Sequence, residues 1–437
     1  MPKMQIWNKA MECMPREEME ALQLRKLKKI LHYVYDRSDI YKKKFDGIGF
    51  KPDDLKSLQD LSKLPLTIKD DFRDGYPFGM FVVPMEQVVR LHASSGTTGK
   101  LTVVGCTKND MENWTEVLAR MITMTGVNSS DVTQIAFGYG LFTGAHGLQY
   151  GMERVGATVI PISGGNSEKQ LMVMKDFGTT ALVCTPTYAL HLAEVAMKLG
   201  IDPRTDLKVK VGLFGGEAFS EEYRQEIQNR WGMLATDNYG LSELGGPGFS
   251  GECELICGQH IAEDHYFVEI LDTETLQPVA PGEKGEVVIT SLSREAVPVI
   301  RYRTKDISSL NYEPCDCGRT TARLSKITGR SDDMMVIRGV NVFPSQIESV
   351  LVKMEELAPH YQIILYKKGF LDDLEIRVEL SEEAFTDNYG KLEAIEHKLK
   401  QQLYKTLSMN PKVRLVEPFS IERSPGKAIR VIDNRDK

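Results

Sequence analysis

At 437 residues the chain is too long for one hydrophobic core, which sets the expectation at two or three domains. Its 42% hydrophobic and 26% charged residues are ordinary for a soluble globular protein, and a net charge of -7 argues against nucleic acid or an anionic membrane surface as partner. No apolar run reaches the length of a membrane span, and the start, Met1-Pro2-Lys3-Met4-Gln5-Ile6-Trp7, lacks the apolar core of a signal peptide. Seven cysteines in so long a chain do not make a disulfide scaffold, so a cytoplasmic protein is expected.

Taken in order, residues 16–44 carry Met19, Leu22, Leu24, Leu27, Ile30, Leu31, Val34 and Tyr35 at helical spacing and predict one helix. Ile68-Lys69-Asp70-Asp71-Phe72 predicts the start of another. Val88-Val89-Arg90-Leu91-His92 and Leu101-Thr102-Val103-Val104 are strand-like and flank Ser94, Ser95, Gly96, Thr97, Thr98, Gly99 and Lys100. That is a hairpin tip in which two glycines let backbone N–H groups converge, four hydroxyls add donors and Lys100 adds a mobile charge. The composition suits an anion such as a terminal phosphate, and it also suits a plain polar turn. It is not a Walker loop: only two residues separate Gly96 from Gly99, and Leu101 follows the lysine.

Residues 110–126 predict an amphipathic helix around Trp114, Val117, Leu118 and Met121. Strand-like runs then follow at 132–137, 158–161, 181–184 and 209–214. Helical segments at 144–155, 168–177, 186–199 and 221–231 lie between or after them. Such alternation predicts an α/β fold with a mostly parallel sheet flanked by helices, whose ligands collect beyond the carboxyl ends of the strands. Short strands at 266–271, 285–290 and 299–302 predict a β-rich subdomain over about 251–328. A compact α+β tail follows, with strands at 334–337, 362–366, 374–380 and 412–415 and helices at 344–354 and 389–407. The expected division is residues 1–331 and a small mobile domain, 332–437, hinged at Asp332 in Gly329-Arg330-Ser331-Asp332-Asp333.

Several stretches carry chemistry. Asp237-Asn238-Tyr239-Gly240-Leu241-Ser242-Glu243 follows strand-like Leu234-Ala235-Thr236 and reads as a polar turn. There a glycine beside a tyrosine offers a flat wall to a nucleoside, and Glu243 can hold Mg²⁺. Asp306, in Tyr302-Arg303-Thr304-Lys305-Asp306, can accept both ribose hydroxyls, or simply join a surface ion pair. Pro425-Gly426-Lys427 presents a lysine on a glycine turn. Cys253-x₃-Cys257-x₂-His260 and Cys315-x-Cys317 can bring four N/S ligands to one tetrahedral Zn²⁺, the alternative being unliganded thiols.

In this order the pieces resemble the adenylate-forming enzymes, and among them the phenylacetate–CoA ligase family. The stretches that carry the likeness are 94–100, 139–144, 239–243, 301–306, 329–333, 338–344 and 425–427, so it spans nearly the whole chain. One departure is Leu101, where the family usually has proline.

The resemblance implies that ATP and an aryl acid form an acyl-adenylate and pyrophosphate, and that the thiol of coenzyme A then displaces AMP. It assigns catalysis to Lys427, Glu243 and Lys100. It assigns the nucleotide to the 94–99 loop with Gly216, Glu217, Ala218, Asp237, Tyr239, Gly240, Ser242, Asp306 and Arg330. The acid falls to Phe137, Tyr139, Phe142 and Gly215, and coenzyme A to the face near Arg338 and Gly339. It selects Cys253, His260, Cys315 and Cys317 for structural zinc and leaves Cys257 out. The expected partners are an aryl acid, ATP, Mg²⁺ and coenzyme A, with no nucleic acid or membrane, in a homodimer. Two other readings are transfer to a carrier thiol or amine, and a regulator that binds nucleotide or acyl group without catalysis.

Overall fold

The computed structural model describes residues 4–94, 101–331, 335–337, 340–368, 371–386, 388–407, 409–423 and 430–435. The chain folds as two units. One takes the residues up to Cys184 with Leu207–Gly216 and Leu234–Ile327; the other takes Thr185–Asp206, Glu217–Met233 and the residues from Thr328 onward.

In the first unit a mixed sheet runs, edge to edge, through Leu310–Asn311, Arg323–Leu324, Gln259–Ile261, Gly246–Glu252, Leu234–Leu241, Val211–Phe214, Ala181–Cys184, Val132–Ile135 and Thr158–Ile160. From Leu234–Leu241 onward its neighbours are parallel, and on the other side they are antiparallel. The α/β class expected from the alternation is the one observed. Tyr266–Leu271, Gly285–Ser291 and Tyr302–Ser308 pair antiparallel as the core of a β-rich region.

Local chemistry explains the helices. Thr107 and Asp110 exchange hydrogen bonds in a capping box, Thr107 Oγ1 accepting from Asp110 N–H and Asp110 Oδ2 from Thr107 N–H, each at 3.0 Å. They open the helix Lys108–Met124, which buries Trp114, Val117, Leu118, Met121 and Ile122. The helix Gly144–Val155 lies close against it: a Cβ on Gly151 would sit 2.7 Å from Leu118 Cβ, and one on Gly147 would enter the Trp114 ring. Gly156, at φ 90°, ends that helix in the left-handed conformation that glycine adopts without cost.

The second unit is built on the long hairpin Leu357–Lys368 and Leu371–Leu380. Lys412–Val416 runs parallel to its second strand and Val431–Asp433 parallel to its first. The helices Pro344–Leu351 and Tyr389–Leu407 contribute Ile347, Val350, Leu351, Leu399, Leu403 and Leu407 to the core of this sheet. Also in this unit, Trp231 donates its indole N–H to Ala189 O at 2.9 Å, joining the helices Glu221–Trp231 and Pro186–Lys198.

Some expectations need correction. The helix over 16–44 is two, Arg16–Arg37 and Asp39–Gly47, because Ser38 leaves helical geometry at ψ 113° and its side chain accepts Tyr41 N–H as the second helix's cap. The strand expected over 299–302 begins at Tyr302, because Arg301 takes φ 49° and breaks the extended run. Residues 237–241, read as a turn, continue the strand Leu234–Leu241. Buried backbone pairing outweighs turn-like composition there. Among the described residues no helix is long and apolar enough to cross a membrane.

Candidate functional site

In the first unit, Val88–Ser94 and Thr102–Thr107 form the expected hairpin, with Ser94 opposite Thr102. Ser95, Gly96, Thr97, Thr98, Gly99 and Lys100 lie outside the described residues. At the base of that loop Ser94 Oγ and Thr102 Oγ1 are buried and have no hydrogen-bond partner among the described residues. Buried hydroxyls without partners are costly, so this end of the hairpin suits a polar ligand.

The hairpin is fastened to the segment that carries the acid-binding candidates, through Leu141. Ala93 N–H donates to Leu141 O at 3.0 Å, and His92 Nδ1 lies 3.1 Å from the same oxygen. Phe137 and Tyr139 are half-buried against the core around Trp114, Val117 and Leu118. Tyr139 meets the His146 ring edge-on at 5.0 Å between centroids, and burial pushes its phenol up to about 12. Phe142, by contrast, is 54% exposed, so it does not share that packing.

At the carboxyl end of the strand Val211–Phe214, Phe214 pairs with Asp237 of the parallel strand Leu234–Leu241. Gly215 runs so close to the next strand that a Cβ on it would stand 2.8 Å from Asn238 O, and Gly216 follows at φ 81°. Asn238 Nδ2 donates to Phe214 O. Asp237 is buried, accepts from Gln259 Nε2 at 2.9 Å, and donates its N–H to Glu252 at 2.7 Å. Tyr239 donates its hydroxyl hydrogen to Asp306 Oδ2 at 2.5 Å, and Gly240 is pressed against the Gly246 carbonyl. Ser242 opens the short turn in which Glu243 is buried, with Lys69 Nζ at 3.8 Å. The structure therefore brings together Gly215, Asp237, Tyr239 and Asp306 from two adjacent strands and a third.

In the second unit, Glu217 accepts from Thr187 Oγ1 at 2.5 Å, Ala218 is exposed and Arg330 is half-buried. Asp332, Arg338, Gly339 and Lys427 lie outside the described residues. Sequence reasoning missed Thr187, Gln259 and Glu252, and named Asn238 only as part of the 237–243 stretch. Only Thr187 had a signal, its place just after the strand end at Cys184.

The cysteine and histidine candidates converge. The ligand atoms of Cys253, His260, Cys315 and Cys317 lie within 4.8 Å of one another, and all four residues are buried. With Zn–S near 2.3 Å and Zn–N near 2.0–2.1 Å, a tetrahedral ion sets its sulfurs about 3.8 Å apart and sulfur from nitrogen about 3.5 Å. The observed Cys253–Cys315 separation is 4.0 Å, and Cys317 Sγ to His260 Nε2 is 3.5 Å. Thr321 Oγ1 lies 3.0 Å from His260 Nδ1, which leaves Nε2 turned toward the sulfurs, the usual outer support of a metal-binding imidazole. Arg319, beside Cys317 at 3.6 Å, is itself paired with buried Glu12 at 2.6 Å. The donor set and spacing fit one zinc ion.

Comparison with known proteins follows the same lines. Residues 27–293 match the family described as AMP-binding enzyme, and residues 339–435 match the AMP-binding enzyme C-terminal domain. The chain is 47% identical to phenylacetate-coenzyme A ligase of Escherichia coli (strain K12) over 422 residues, 96% of each chain. It is 43% identical to the phenylacetate-coenzyme A ligase of Thermus thermophilus, covering 98% of this chain and all of that one. Among solved structures it resembles 2-hydroxyisobutyryl-CoA ligase in the postadenylation state in complex with 2-HIB-AMP. There the TM-score is 0.93 at 30% identity, covering 99% of this chain and 93% of that one.

Proposed function

Because the chain belongs to the adenylate-forming, AMP-binding enzymes and within them to the phenylacetate–CoA ligase family, we propose that it joins an aryl acid of the phenylacetate type to coenzyme A at the expense of ATP. The acid is activated as an acyl-adenylate with release of pyrophosphate, and the thiol of coenzyme A then displaces AMP. The observation that carries the reading is the Tyr239–Asp306 pair beside the flush glycine wall at Gly215. A buried carboxylate and an aromatic face beside the strand ends are what a nucleoside site in such a sheet needs, which supports the reading.

The first half-reaction brings a carboxylate against an α-phosphate, so the site has to hold two anions in line and offset their charge. The 94–100 loop, flanked by the hydroxyls of Ser94 and Thr102 that have no partner among the described residues, suits the β- and γ-phosphates, with Lys100 as its cation. Asp306 takes the ribose hydroxyls and Arg330 supports ribose and phosphate. Gly216, Glu217, Ala218, Asp237, Tyr239, Gly240 and Ser242 surround the base. Glu243, a buried carboxylate, is the residue to hold Mg²⁺, which when bound neutralises phosphate charge. Phe137, Tyr139, Phe142 and Gly215 wall the aryl group. Lys427 serves adenylation, and the face near Arg338 and Gly339 serves coenzyme A after a turn about Asp332.

The Cys253, His260, Cys315 and Cys317 cluster holds a structural zinc ion that closes the β-rich region. The protein acts in the cytoplasm and as a homodimer. Pyrophosphate release with phenylacetate, with and without coenzyme A, tests the function. Phenylacetyl-CoA should form with AMP and pyrophosphate. Release without consumption of coenzyme A would point to another acceptor, and no release with any aryl acid would overturn the reading.

A further inference from the structure

Cys257 stands apart from the four candidate ligands yet touches one of them: its sulfur lies 3.1 Å from Cys315 Sγ. Two sulfurs sharing one tetrahedral zinc stay about 3.8 Å apart, so this closer approach is a thiol–thiol contact and not shared coordination. The two cysteines differ in access, Cys315 being buried and Cys257 exposed. Cys257 is also held in place. Ile256 N–H donates to Cys253 O at 3.0 Å, and Arg323 Nη1 donates to Cys257 O at 2.7 Å. Ile256 takes φ 50°, unusual for a β-branched residue, and Gly258 takes φ 105°. A solvent-facing thiol is thereby fixed against a buried one that the metal reading assigns to zinc.

We propose that Cys257 is an oxidation site for hydroperoxides, with Cys315 as its resolving partner, and that their disulfide releases the zinc. The proposal rests on the zinc reading for its second half only. The Cys257 sulfur attacks one peroxide oxygen, the O–O bond breaks, and water leaves to give a sulfenic acid. The Cys315 sulfur then attacks the Cys257 sulfur. The S–O bond breaks, hydroxide leaves and takes up a proton, and the S–S bond forms. Each sulfur has given up one electron and each peroxide oxygen has gained one, so the Cys257 thiol, the zinc-bound Cys315 thiolate, one hydrogen peroxide and one proton from solvent yield one disulfide and two waters. Cys315 leaves the metal's donor set, and three protein ligands remain.

The test uses the full-length protein purified without chelator. Metal content is measured first, and hydrogen peroxide is then added with a chromogenic zinc chelator. Disulfides are mapped by mass spectrometry before and after dithiothreitol. The expected result is about one zinc per chain before oxidation, a Cys257–Cys315 disulfide after it, and zinc release that follows disulfide formation. Cys257→Ser should keep its zinc and release it on the order of tenfold more slowly, and Cys257→Ala should behave alike, which separates chemistry from folding. Release from Cys257→Ser at the wild-type rate, or a disulfide that omits Cys257, overturns the proposal. Protein without zinc that still forms the Cys257–Cys315 disulfide overturns the metal reading and the release step while leaving the oxidation site standing.

Discussion

Tyr239 donates its hydroxyl hydrogen to Asp306 across 2.5 Å, joining the end of the strand Leu234–Leu241 to the strand Tyr302–Ser308. Asp306 is buried, and a hydrogen bond to a buried carboxylate is worth about 1.5–3 kcal/mol. If the pair frames the ribose, Tyr239→Phe should raise the KM for ATP by roughly ten- to a hundredfold and leave the KM for the aryl acid within about twofold. Steady-state kinetics in each substrate decide it. Equal rises in both KM values would make the contact a support of the fold only.

Gly215 offers a sharper steric test. An alanine there would place Cβ 2.8 Å from Asn238 O, a backbone atom with little freedom to retreat. Gly215→Ala should cost about 1–3 kcal/mol of stability by overpacking and should impair the ligase further at temperatures where it is fully folded. Thermal melts and initial rates on the same preparation separate the two effects. An alanine variant with wild-type melting and rates would show that the strands part easily and that the wall is not tight.

The zinc reading separates stability from chemistry. Cys315→Ser and Cys317→Ser should each remove the ion and lower the melting temperature, while activity per folded molecule stays within about threefold, because no step is assigned to the metal. Elemental analysis and calorimetry, paired with activity at low temperature, are the measurements. Loss of activity without loss of stability would move the cluster from structure into catalysis.

His265 supplies a pH dependence. Burial pulls its imidazole from 6.5 to about 4, against the pull of Asp264 at 3.3 Å. The folded pKa lies below the unfolded one, so the stability due to neutral His265 is present above pH 6.5 and is lost as pH falls through about 4. On the order of 2 kcal/mol should disappear across that window, discounted for the nearby carboxylate. Urea unfolding of the wild type and His265→Gln as a function of pH checks this. A wild-type curve as flat as that of the variant would show that burial does not lower the pKa of His265.

What the sequence disclosed and what it hid divide along physical lines. The parallel strands and their helices were legible because buried strands read as short apolar runs, and Ala181–Cys184, Gly144–Val155 and Glu221–Trp231 match the expected bounds. Ser38 hid its break because the apolar spacing continues through it. Asp237 and Asn238 looked like turn residues, yet backbone pairing on both sides keeps them in a strand. Residue type offered five candidate zinc ligands, Cys257 among them, and the family resemblance picked out the four that converge. By contrast, Thr321 behind His260 and the contact of Cys257 with Cys315 depend on how distant segments meet, which no local pattern encodes.

The final prediction concerns the two half-reactions. His360 Nε2 lies 3.1 Å from Glu194, and Glu348 accepts the Ser220 N–H at 3.3 Å. Glu348 also pairs with Arg430, whose guanidinium stands 5.5 Å from the centre of the Tyr223 ring. Within the second unit these contacts fasten the residues beyond 340 to the helices Pro186–Lys198 and Glu221–Trp231. A turn of residues 332–437 about Asp332 would have to break these contacts, and one arrangement would serve each half-reaction. Lys427→Ala should therefore abolish adenylate formation yet still convert supplied aryl-adenylate and coenzyme A to thioester. Asp332→Pro should do the reverse, because proline fixes a φ that has to change. His360→Ala, which removes one fastening without touching substrate, should slow adenylation a fewfold and leave thioester formation unslowed. A solvent-exposed lysine would instead cost less than about 0.5 kcal/mol and divide nothing. Pyrophosphate exchange and thioester formation, measured separately, decide among these outcomes. Equal slowing of both steps by Lys427→Ala would exclude the alternation.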